Sequence, residues 1–160
     1  MRFLLLFFLT HSALYFAQET NYSVGVGLYP TGSESGLGFR SSKVNKTCLD
    51  VRFTKTLFTT NPNTGGFNSE INLVHRVVKQ ERLNFHIGYG FKTDINVNVG
   101  SLNKYGVVFP VGVEAFPFPF QQAGLFFEVA PFYITTTNRS AQFGLRSAAG
   151  FVFYFTSSKK

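Results

Sequence analysis

The stretch SAQFGLRSAAGFVFYF, Ser140 to Phe155, sets Phe143, Leu145, Phe151, Phe153 and Phe155 on one face and Gly144, Arg146, Gly150 and Tyr154 on the other. A repeat of two is the period of a β-strand, because successive side chains leave opposite faces of a pleated chain. No other part of the sequence offers this aromatic face an apolar layer to pack on, and the chain opens with an export segment. Lipid is the simplest solvent for such a face, so the stretch reads as a wall strand of a membrane β-barrel.

The same alternation continues upstream. Turn signals divide residues 20–155 into about eight segments, the smallest number that commonly closes a transmembrane barrel. They are Tyr22 to Tyr29, Ser35 to Lys43, Thr47 to Phe58, Phe67 to Val78, Leu83 to Thr93, Gly106 to Phe116, Leu125 to Ile134 and the closing stretch. Leu83 to Thr93 is the clearest, with Leu83, Phe85, Ile87, Tyr89 and Phe91 opposite Asn84, His86, Gly88, Gly90 and Lys92. No helical period competes. Pro110 and Pro131 fall inside segments, where a residue without an N–H leaves a gap in the ladder, so local irregularities are expected there.

Composition agrees. The 160 residues suit one domain, and 21 Phe and 7 Tyr without Trp give an aromatic share that lipid-facing strands and bilayer interfaces favour. Met1-Arg2, the apolar run Phe3 to Leu9 and the segment to Ala17 have the form of a secretory signal peptide, 1–17, with cleavage after Ala17 or Ala13. Residues 18–155 then form the barrel and 156–160 a short basic tail. Cys48 stands alone, which excludes an intramolecular disulfide, and it is assigned no role. The formal net charge of +7 is scattered rather than clustered, so nucleic acid is not an expected partner. Lys43, Lys46, Lys79, Arg82, Lys159 and Lys160 sit at strand ends, where lipid headgroups or phosphates are the nearest anions.

Alternation alone also fits a soluble, lipocalin-like barrel with an apolar interior. The polar faces argue for the membrane form. They carry Arg40, Arg52, Arg76, Lys92 and Arg146 with Asp50, Glu70, Glu114 and Glu128, plus His86, a near-balanced set able to pair inside a narrow lumen. Gly25, Gly27, Gly36, Gly38, Gly88, Gly90, Gly112, Gly144 and Gly150 share those faces. Small neighbours suit a crowded interior, whereas glycine only weakens a solvent-exposed strand. Lys55 and His75 fall on the lipid-facing register and count against the assignment unless they lie near strand ends.

With both termini on one side, the connections Pro30 to Glu34, Thr59 to Gly66, Asp94 to Tyr105 and Thr135 to Arg139 face outward, and Val44 to Lys46, Lys79 to Arg82 and Pro117 to Gly124 face the periplasm. From Gln18 to Phe155 the chain resembles the small, eight-stranded outer-membrane β-barrel proteins of Gram-negative bacteria. Its closing strand, with Phe151, Phe153, Tyr154 and Phe155, is similar to the aromatic C-terminal signal read by that family's assembly machinery. The resemblance implies an antiparallel up-and-down transmembrane barrel in the outer membrane, a monomer surrounded by outer-membrane lipid and lipopolysaccharide.

No phosphate loop, paired metal-ligand motif or nucleophile elbow appears, so no cofactor, metal or catalytic residue is assigned. A rim His with a hydroxyl, His75 with Ser69, is the one arrangement a lipid-modifying enzyme would need, and it falls on opposite ends of a strand. His86 with Glu114 or Glu70 reads as luminal polar contact rather than an acid/base pair. Eight strands leave room only for side chains, so the expectation is a filled barrel that presents surface loops. A soluble hydrophobic-ligand carrier, a lipid-modifying enzyme or a narrow channel are the alternatives.

Overall fold

The computed structural model describes residues 23–32, 34–56, 66–96, 103–117, 122–136 and 140–156. The signal-peptide reading of 1–17, much of the outward connections and Lys159 and Lys160 lie outside the described residues. Among the described residues nine strand segments follow one another: β1 Ser23–Leu28, β2 Glu34–Arg40, β3 Thr47–Thr56, β4 Gly66–Lys79, β5 Leu83–Asn96, β6 Lys104–Val108, β7 Val111–Ala115, β8 Ala123–Thr136 and β9 Ala141–Thr156. Pairing is antiparallel, and β1 pairs with β9 to close the ring. Both β6 and β7 lie between β5 and β8, so the ring holds eight strands, one of them in two pieces.

The two prolines explain that interruption. Gly88 N–H donates to Pro110 O at 2.7 Å and Phe109 N–H to Pro131 O at 2.9 Å. The returning bonds would need an N–H from Pro110 and from Pro131, which neither has. Two rungs are lost side by side, yet Gly90↔Val108 before the gap and Ile87↔Val111 after it keep one register. The expected irregularity is therefore a pair of missing hydrogen bonds, and β8 runs through Pro131 unbroken. The register shift lies elsewhere, between Arg76 and Val78 opposite His86 and Phe85.

Several boundaries differ from the reading of the sequence. The second strand stops at Arg40 because Ser41 and Ser42 turn the chain: the Ser42 hydroxyl accepts from the N–H groups of Val44 and Asn45 at 3.1 and 3.0 Å. Strand structure also extends into connections read as loop, taking in Asp94 to Asn96, Lys104 and Tyr105, and Thr135 and Thr136. Polar composition marked these residues as loop, but cross-strand pairing carries them into the wall.

Closure fixes the tilt. Following direct partners from Gly25 through Arg40, Asp50, Asn72, Gly90, Val108 and Phe132 leads to Gly144 in β9, while Gly25 itself pairs with Tyr154, ten residues further along. A stagger of that size over eight strands tilts them by about 40° and leaves an interior filled by side chains. The wall is not equally tall all round. The β1–β2 hairpin continues past its strands through Tyr29 N–H to Gly36 O and reciprocal Thr31–Glu34 bonds, and Thr31 bridges Ala148. Beyond Ala148, residues 141–147 of β9 pair with β8 on one side and with no strand among the described residues on the other.

Sidedness is unambiguous. Phe85, Ile87, Phe127 and Phe143 stand on the outer surface, and Arg40, Arg52, Glu114 and Glu128 are buried within. That distribution rules out the soluble barrel with an apolar interior.

Candidate functional site

The site is the lumen. Its parity comes from the pleat: on each strand the polar set and the glycines occupy alternate positions that closure turns inward. Arg40, Asp50, Arg52, Glu70, Arg76, His86, Lys92, Glu114, Glu128 and Arg146 are all buried there.

They join into one run of contacts along the barrel. Near the short turns, Tyr154 donates its hydroxyl hydrogen to Glu114 at 2.5 Å, and Arg40 spans the lumen from Asp50 to Glu114 at 3.1 Å. Asp50 also receives Arg52 at 2.7 Å, and Arg52 crosses to grip both oxygens of Glu128 at 2.7 Å each. Toward the opposite end Arg146 bridges Glu128 and Glu70 at 3.1 and 3.0 Å, and Lys92 lies 3.4 Å from Glu70. Two-pronged guanidinium–carboxylate geometry suits such a dry setting, where an unpaired charge would be costly.

Two members behave differently from the sequence reading. Arg76 lies 3.6 Å from Glu114 but donates at 2.6 and 2.8 Å to the carbonyls of Asn45 and Ser42, so it chiefly pins the first short turn. His86 faces neither Glu114 nor Glu70 as a hydrogen-bond partner; its Nε2 is 3.4 Å from Glu128.

Aromatic rings fill the gaps between ions. Tyr29 stacks on Phe126 with centroids 4.7 Å apart and lies under the Arg52 guanidinium at 4.6 Å. Glycines are their seats: a Cβ on Gly25 would come within 2.7 Å of the Tyr154 ring, and one on Gly150 within 2.7 Å of Phe126. Tyr29 and Phe116 were missed as luminal groups. Each sits just beyond a strand, and the signal was there in parity, two steps past Gly27 and Glu114. Cys48 is buried opposite Val74.

The outer face places the remaining candidates. Lys55 lies one residue before the end of β3. His75 Nδ1 is 2.9 Å from the Thr47 hydroxyl, and Ser69 bonds Thr93 at 2.7 Å. His75 lies six residue steps along β4 from Ser69, about 20 Å of strand, so they form no dyad. At the short-turn rim Lys43 lies 4.1 Å above the Phe116 ring, and its burial there pushes the ammonium below its ordinary range. Phe151, Phe153 and Phe155 face outward while Tyr154 turns in, which separates the closing aromatics into two environments.

An apolar exterior, a closed ring and an ion-filled core define a small transmembrane β-barrel. The chain is similar in structure to Neisserial surface protein A (NspA), with a TM-score of 0.54 and 14% identity over 83% of this chain and 95% of that one. It has the eight-stranded fold of the small outer-membrane barrels. Ail, the attachment invasion locus protein of Yersinia pestis, superposes more loosely, with a TM-score of 0.39 and 13% identity over 86% of this chain and 100% of Ail. No protein-family model matches the sequence, and no curated protein matches it.

Proposed function

We propose that this chain is a Gram-negative outer-membrane barrel with a sealed lumen that anchors and presents surface connections, and that it is neither a pore nor an enzyme. The observation that carries this reading is the pair of contacts crossing the lumen, Arg40 to Glu114 and Arg52 to Glu128. They occupy the space a permeant ion would need. A non-catalytic role is supported by the outward His and Ser, each hydrogen-bonded to a threonine rather than to one another. The expected surroundings are outer-membrane lipid and lipopolysaccharide, with the barrel-assembly machinery engaged during biogenesis through Phe151, Phe153 and Phe155, and the barrel working as a monomer. NspA is a surface protein by name, which favours a surface role here.

The test is cell fractionation with gel mobility before and after heating, followed by planar-bilayer recording. A heat-modifiable band in the outer-membrane fraction and a flat current trace are expected. Discrete conductance steps from the purified barrel would sink the sealed-lumen reading.

A further inference from the structure

The lower wall at the β1–β2 hairpin exposes a recess of about 280 Å³. Its lining comes from both faces: Lys92, Phe132 and Arg146 from the lumen, Leu145 and Ser147 from the outside of β9, and Glu34 beside the hairpin tip. Here the lumen reaches the outer surface sideways, past the edge of β9 that pairs with no strand among the described residues. Three observations bear on what fills it. Leu145 and Phe143 are the most exposed large apolar side chains among the described residues, at 70% and 76%. Arg146 is more than nine-tenths buried, yet its Nε has no hydrogen-bond partner among the described residues. Lys92 and Arg146 both lean on Glu70, Arg146 shares Glu128 with Arg52, and the buried set as a whole has five Lys and Arg side chains to four carboxylates, so the cations at this end are not fully matched.

A strand edge without partners is not tolerated in hydrocarbon, so this edge, which pairs with no strand among the described residues, belongs at headgroup level, where polar groups can reach its backbone. Tyr133 and Phe143, partners across β8 and β9, are the kind of aromatic pair found at that level.

We infer that the recess binds a phosphate-bearing lipid, with the phosphate against Arg146 and Lys92 and an acyl chain laid over Leu145 and Phe143. This deepens the proposed outer-membrane role and rests on it. Glu34 opposes the anion and limits its affinity.

The test is native mass spectrometry of the folded barrel in neutral detergent with diphosphoryl lipid A as the probe. Wild type should retain one lipid. Lys92→Gln and, from the outside, Leu145→Asn should each lower retention by about tenfold, the loss expected for one charge-assisted or well-packed contact of this kind. Leu145 touches no luminal ion pair, so its variant keeps the test independent of core stability; heat-modifiable mobility checks the fold of both. Glu34→Gln should raise retention. Equal retention by all four proteins overturns the inference, as does full displacement by inorganic phosphate, which would mark an anion site only. A dimer mass without lipid would assign the edge to a second copy instead. A barrel that conducts no current but holds no lipid refutes this site while leaving the sealed-lumen reading intact.

Discussion

Phe127 and Glu128 are neighbours in β8, and one is 52% exposed while the other is 0% exposed. In a water-soluble protein their places would be exchanged. The outer and inner faces of the wall thus obey opposite rules within one residue step. The outer face is apolar because acyl chains surround it, and the inner face carries ions because they pair with one another before they are dry. What the contrast teaches is that this fold hides its polar groups by closure, and its core is electrostatic where a soluble barrel's is apolar.

The inner face gives the largest expected effect. Glu128→Ala leaves Arg52 without its two-pronged partner and takes one of two carboxylates from Arg146. Removing one partner of a buried pair destabilises by about 3–5 kcal/mol. Urea unfolding of the barrel in lipid vesicles should show that loss as a lower midpoint. A shift worth less than about 1 kcal/mol, the value of an exposed pair, would mean water already reaches the core.

On the outer face the neighbouring position breaks the contrast from the other side. Phe127→Arg puts a charge where lipid is expected and should cost about 2–4 kcal/mol in vesicles if the site lies near the midplane. The same unfolding assay reads it. An Arg tolerated there at no cost would show that Phe127 does not face hydrocarbon.

Much of this contrast was legible before any coordinates. Parity along Leu83 to Thr93 and Ser140 to Phe155 separated lipid-facing from luminal residues, and charge with glycine on the same parity told inside from outside. Which ion meets which was not legible. Arg52 reaches Glu128 76 residues away because the ring closes with a fixed stagger, and that stagger is a property of all eight pairings together. Tyr29 and Phe116 escaped because each is the last residue of its segment, Tyr22 to Tyr29 and Gly106 to Phe116, where an aromatic side chain gives no sign by itself of which face it takes. The diagonal placement of Pro110 and Pro131 was also hidden, since each proline signals a local break and only the register shows that the two breaks adjoin. The low wall at the β1–β2 hairpin depends on where β9 outruns its partner, which no local pattern encodes.

Lys55 offers the smallest and most discriminating test. It stands on the lipid-facing register, paired with Ser35 and Phe67, and one residue from the end of β3. A flexible four-carbon stem lets its ammonium reach the headgroups from such a position. Lys55→Leu should therefore change unfolding free energy by only about 0–1 kcal/mol in vesicles. Phe127→Arg and Lys55→Leu together act as a depth gauge, because the penalty for a charge on this face depends on its distance from the midplane. If replacing Lys55 stabilised the barrel as much as Phe127→Arg destabilised it, the hydrocarbon band would extend over the end of β3. The edge of β9 that pairs with no strand among the described residues would then sit in lipid as well, and a further segment would have to cover it.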